Sequence, residues 1–128
     1  MTIRDTLIKD LKRIGVDVDS MTLEVRPYHS RYFGRYLFDR SKVFVYIYAD
    51  KTKRKLRPYV EVLETAIHEA THHMISREKA VARGETHNQE FHEKFKKYMR
   101  LAARLGLLKP LREGGKECLL NRKIKVSR

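Results

Sequence analysis

Apolar residues near the start of the chain recur at helical spacing. Ile3, Leu7, Leu11 and Ile14 fall on one face, so residues 2–14 predict an amphipathic helix. Thr2 is placed to cap it and Gly15 to stop it. The period then changes. Residues 21–26 and 32–38 are rich in β-branched and aromatic side chains, and residues 42–48 read as a strand after the polar turn Asp39, Arg40 and Ser41. The expected product is a small antiparallel sheet of about three strands that includes a hairpin. Helical period returns over residues 59–76, with Pro58 at the first turn and Val60, Leu63, Ala66, Ile67, Ala70 and Met74 on one arc. A further helix over residues 88–105 should bury Phe91, Phe95, Tyr98, Ala102 and Leu105 before Gly106 ends it. The fold class is therefore α+β.

A length of 128 residues suits one domain, and 41% hydrophobic residues with 6 Gly and 3 Pro excludes collagen-like, low-complexity and wholly disordered chains. Residues 1–108 are expected to form the domain, with 109–128 a basic segment packed on it or trailing from it. A monomer is the expected state. The single cysteine, Cys118, cannot form an intramolecular disulfide, and the first ten residues mix both charges where a signal peptide needs an apolar run. A reducing, cytoplasmic setting is expected. The apolar run at residues 43–49 is far shorter than a bilayer span, so no membrane partner is expected.

Charge adds a partner to this picture. The chain carries 29 Lys and Arg against 16 Asp and Glu, a net charge of +13, which is the footprint of a protein that meets polyanions. DNA is the expected one. The densest cluster is Lys51, Lys53, Arg54, Lys55 and Arg57, read as a phosphate-contacting loop and joined by Lys94, Lys96, Lys97 and Arg100 and by Arg122, Lys123 and Lys125. The competing reading is a solvated face, because Tyr59 adjoins the cluster without a stacking platform of several aromatics.

The candidate chemistry lies in the histidines. Five of the 6 histidines fall between positions 68 and 92, and His68-Glu69-Ala70-Thr71-His72 reads HExxH. Residues four apart on a helix share a face, so both imidazoles can hold one Zn2+ while Glu69 reaches the activated water as general base. A catalytic zinc needs three protein ligands and an open position. His87 supplies a third candidate near the start of the next helix.

Around these residues the chain resembles the SprT-like zinc metallopeptidase family, whose protease domain is Spartan-like. The shared run is Glu64-Thr65-Ala66-Ile67-His68-Glu69-Ala70-Thr71-His72, followed by a third histidine in an H-x-x-x-F signature, here His87-Asn88-Gln89-Glu90-Phe91. Similarity extends upstream to Arg31, Gly34, Tyr36 and the strand at 43–48, covering roughly residues 20–105. Asn88 stands where the family often has glycine and His73 where it has a small residue; neither change removes a ligand. The cysteine-rich zinc ribbon of some members is absent from these residues. The resemblance implies that His68, His72 and His87 bind Zn2+, that Glu69 activates the water, and that the substrates are proteins bound or crosslinked to DNA, as in DNA–protein crosslink repair. By fold analogy, the strand at 42–48 could pair with an extended substrate by β-augmentation.

Other readings of the same residues stay open at this level. Glu90 competes with His87 as third ligand, which would make a minimal gluzincin-type peptidase without a DNA role; a nucleic-acid-binding module with structural zinc is another alternative. Glu64, one turn before His68, could orient its imidazole or be a plain surface carboxylate. His73 reads as a core-edge or surface residue, and His29 and His92 as incidental. Any of the 7 tyrosines could stabilise an oxyanion.

Overall fold

The computed structural model describes residues 2–79 and 89–108, together with two short strands, β4 (Arg112–Glu113) and β5 (Lys116–Glu117), which pair antiparallel. The first helix, α1 (Ile3–Arg13), begins with a reciprocal cap: the Asp5 amide donates to Thr2 Oγ1 at 3.1 Å and the Thr2 amide to the Asp5 carboxylate at 3.3 Å. It buries Ile3, Leu7 and Leu11 completely. Gly15, at φ 97°, turns the chain out of the helix.

Three strands follow, β1 (Thr22–Arg26), β2 (Gly34–Leu37) and β3 (Lys42–Tyr46), in the spatial order β1-β3-β2. The β2–β3 pair is the expected hairpin, closed through a 3-10 turn at Phe38–Arg40 and Ser41 at φ 48°. The sheet as a whole is mixed, which corrects the expected antiparallel arrangement: β1 runs parallel to β3, with Leu23 beside Val43 and Val25 beside Val45. Alternation of apolar residues assigns side chains to faces, and that pattern is the same for both strand directions. Leu23, Val43 and Val45 face the core, whereas Phe44 shares the other face with Glu24 and Arg35.

The helix α2 (Tyr59–Lys79) starts behind Pro58, whose carbonyl accepts from the Glu61 and Val62 amides. Val62, Leu63, Ala66, Ile67 and Ala70 are buried completely. Val62 thus takes the place expected for Val60, which is half-buried. The last long helix, α3 (Gln89–Arg104), buries Phe91, Tyr98 and Ala102, and Gly106 at φ 75° ends it. Leu105, expected in this stripe, is 42% exposed because the helix stops one residue before it. α1, the inner face of the sheet, α2 and α3 share one core. Among the described residues no helix is long and apolar enough to cross a membrane.

Candidate metal centre

The HExxH residues lie in the middle of α2, which packs against β2, β3 and α3. Spacing of four places the His68 and His72 rings together, with centroids 5.1 Å apart. Phe91, in the first turn of α3, stacks on His72 at 4.5 Å and meets His68 edge-on at 4.9 Å; Phe95, one turn on, lies 5.7 Å from His68. The start of α3 is therefore held against the histidine pair by an almost fully buried aromatic ring. His87, expected as third ligand, lies outside the described residues, as do Cys118, Arg122, Lys123 and Lys125. Among the described residues no group of three His, Cys, Asp or Glu is gathered as a metal site would require. His68 and His72 form a two-imidazole half-site of the donor type that suits Zn2+.

Glu69 faces the sheet, where the strand opposite it is β2. A cleft of about 720 Å3 is lined by residues 34–37 of β2 together with His68, Glu69 and His72. A second, of about 540 Å3, is lined by Phe33, Gly34, Glu64, His68, Glu69 and Phe95. Glu69 and Gly34 belong to both, so the carboxylate sits where the two halves of one groove meet. Burial pushes the Glu69 carboxyl up to about 7, the range in which a general base serves near neutral pH.

Close approach of β2 to α2 depends on Gly34. A Cβ there would stand 2.5 Å from Thr65 Cγ2 and 3.0 Å from Glu69 Cγ. Two residues on, Tyr36 donates its hydroxyl to His73 Nδ1 at 3.0 Å. The other ring nitrogen, Nε2, lies 2.8 Å from Ser20 Oγ, whose own proton goes to the Asp17 carbonyl, so Nε2–H is the donor there. His73 is 2% exposed and burial lowers its pKa; it is a neutral core-edge residue, as its sequence position suggested. β2 is thus pinned to α2 at two points, and its outer edge is unpaired among the described residues.

This arrangement reassigns the strand open to an extended chain. β3, expected to receive a substrate, is central and has both edges occupied; β2 is the edge strand on the groove. A glycine among aromatic and cationic residues, Phe33-Gly34-Arg35-Tyr36, was the available signal, since a glycine inside a strand marks close backbone approach. Of the tyrosines, Tyr32 and Tyr36 line the groove with Glu69. Glu64 is exposed at the groove's rim, His92 is exposed on α3, and His29 packs between Tyr32 and Tyr46.

The basic cluster divides. Lys51, Lys53, Arg54 and Lys55 are exposed on a loop closed by the Tyr48–Leu56 bridge and ordered by the Asp50 carboxylate, which accepts the Arg54 and Lys55 amides at 3.1 and 2.8 Å. Arg57 does not belong to that surface: it is 5% exposed, with its guanidinium turned inward. A run of cations in sequence shows no side-chain direction, and Arg57 lies beyond the bridge, where the chain turns into the core. Comparisons with family models, curated proteins and solved structures found no match for this chain.

Proposed function

We propose that the chain is a zinc-dependent endopeptidase that acts on proteins associated with or crosslinked to DNA. The observation that carries the reading is the position of Glu69, a largely buried carboxylate beside two paired imidazoles, facing the unpaired edge of β2 across an open groove. His68 and His72 would hold the ion, with His87 as third ligand; His87 precedes Gln89, the first residue of α3, by two positions, and α3 is docked on the histidine pair through Phe91. When bound, Zn2+ supplies Lewis acidity, polarising the scissile carbonyl and making water a nucleophile at neutral pH.

The chain's own groups do the rest. The β2 edge would pair with the main chain of an extended substrate, so recognition would depend little on side-chain sequence. Glu69 takes a proton from the attacking water and gives it to the leaving amine nitrogen, so one peptide bond and one water become a carboxylate and an amine. Phe91 keeps the imidazoles in place and excludes water behind them. The exposed cations of residues 51–55 and the net charge of +13 favour DNA as the recruiting partner.

The test is cleavage of a DNA-binding protein with and without DNA, by the wild type and by Glu69→Gln. Glu69→Gln should retain about one zinc per chain and lose proteolysis. Undiminished cleavage by that variant overturns the enzymatic reading, and zinc retention without cleavage in the wild type would favour a structural zinc in a nucleic-acid-binding module.

A further inference from the structure

Arg57 is buried, and among the described residues no other lysine or arginine is. Taking a guanidinium out of water is costly unless its donors are met and its charge is balanced. None of the ion pairs among the described residues includes Arg57. Its donors are met by uncharged oxygens instead. Nη1 donates to the Tyr46 carbonyl at 2.7 Å and the Phe33 carbonyl at 3.4 Å; Nη2 donates to Thr65 Oγ1 at 2.7 Å and the Glu61 carbonyl at 3.4 Å. Nε is buried with no partner. The Phe33 ring, 56% exposed, covers the guanidinium at 4.2 Å.

These contacts join three elements at one point. Phe33 leads into β2, Tyr46 ends β3, and Glu61 and Thr65 lie on α2 in the two turns before Glu69. Thr65 also holds the Cγ2 atom that limits how near Gly34 can come. The planar fork of arginine can reach the sheet with one nitrogen and the helix with the other, which the single nitrogen of lysine cannot do. We infer that Arg57 is a positioning residue, a clamp that sets the spacing between the open edge of β2 and the Glu69-bearing turn of α2, so that a chain laid along that edge meets the carboxylate. The substrate clause rests on the peptidase reading; the clamp itself does not.

The experiment uses Arg57→Lys, Thr65→Val and their combination in the full zinc-loaded chain. Thr65→Val keeps the Cγ2 atom and the shape while removing the hydroxyl that accepts from Nη2, so it carries the test even where Arg57→Lys folds poorly. Amide exchange over residues 33–37 should rise about tenfold in either variant while exchange in α1 stays at the wild-type rate. With casein as an unfolded substrate, kcat should fall about tenfold with KM within about twofold, the signature of a chain that still binds along β2 but meets Glu69 at the wrong spacing. Zinc content should not change, and the double variant should be no worse than the worse single one, since both changes break one contact. Unchanged exchange at residues 33–37, or exchange that rises equally in α1, overturns the inference. Localised exchange changes in the variants, beside a wild type that cleaves nothing, would overturn the peptidase reading and leave the clamp standing.

Discussion

Gly34 on β2 and Glu69 on α2 touch so closely that no side chain fits between them: a Cβ at position 34 would lie 3.0 Å from Glu69 Cγ and 3.2 Å from its Oε2. Thr65 Cγ2 is nearer still, at 2.5 Å, and the Thr65 side chain is held in place because its hydroxyl accepts from Arg57 Nη2 and donates to the Glu61 carbonyl. Gly34 does not have a positive φ, so the constraint is one of space. Gly34→Ala should therefore force β2 away from α2 and destabilise the protein by about 1–3 kcal/mol, the usual cost of overpacking. Denaturant unfolding measures this, and a variant as stable as the wild type would show that the two elements separate without strain.

The identity of the third ligand is the next expectation. Phe91 holds the start of α3, with Glu90 in its first turn, on the histidine pair, and His87 precedes that helix by two positions in the sequence. A neutral imidazole suits zinc without adding charge, and Glu90 has another role at the positive end of the helix dipole. His87→Ala should lower zinc affinity by more than the roughly 10–100-fold that loss of an outer partner costs, and Glu90→Ala by less. A competitive metal titration ranks the two, and the reverse order would assign the ligand to Glu90.

The divided basic cluster gives two opposite outcomes from neighbouring cations. Replacing Lys51, Lys53, Arg54 and Lys55 with glutamine should leave stability near the wild type, because all four are exposed. It should flatten the salt dependence of duplex DNA binding, by about 0.9 in the log–log slope for each phosphate contact removed. Arg57→Gln should instead lower stability. A salt titration paired with thermal unfolding checks both, and an unchanged slope in the four-residue variant would reject the loop as the DNA surface.

A pH effect follows from the far side of α2. Tyr59 donates its hydroxyl to the buried Asp10 carboxylate at 2.5 Å, and burial first, then this bond, raises the phenol well above its ordinary value of 10.0. A group whose pKa is raised on folding gives its stabilisation in full below the unfolded value and loses it as pH climbs toward the folded one. Stability should thus fall above about pH 10, by up to about 1.4 kcal/mol per pH unit from this residue. Tyr59→Phe should remove that part of the alkaline loss and, at pH 7, cost about 1–3 kcal/mol by leaving Asp10 short of a donor. Urea unfolding at pH 7, 10 and 11 tests the sign; an alkaline slope unaltered in the variant would assign it to other groups.

What the sequence by itself determined is what depends on near neighbours along the chain. The three long helices were legible because a 3.6-residue period, the Thr2 cap and the glycines at 15 and 106 act within a few residues. The pairing of His68 with His72 was legible for the same reason, since spacing of four on a helix brings two rings together wherever the helix lies. Strand direction, the open edge and the fate of Arg57 were not legible. Period two is common to parallel and antiparallel strands, so nothing local required β1 to run with β3 or left β2 at the edge beside Glu69. Arg57 follows a run of exposed cations, and only the meeting of Phe33, Tyr46 and Thr65 around it turns a charged side chain inward. Those contacts join residues far apart in the chain, and their partners become visible only once the sheet and α2 are packed together.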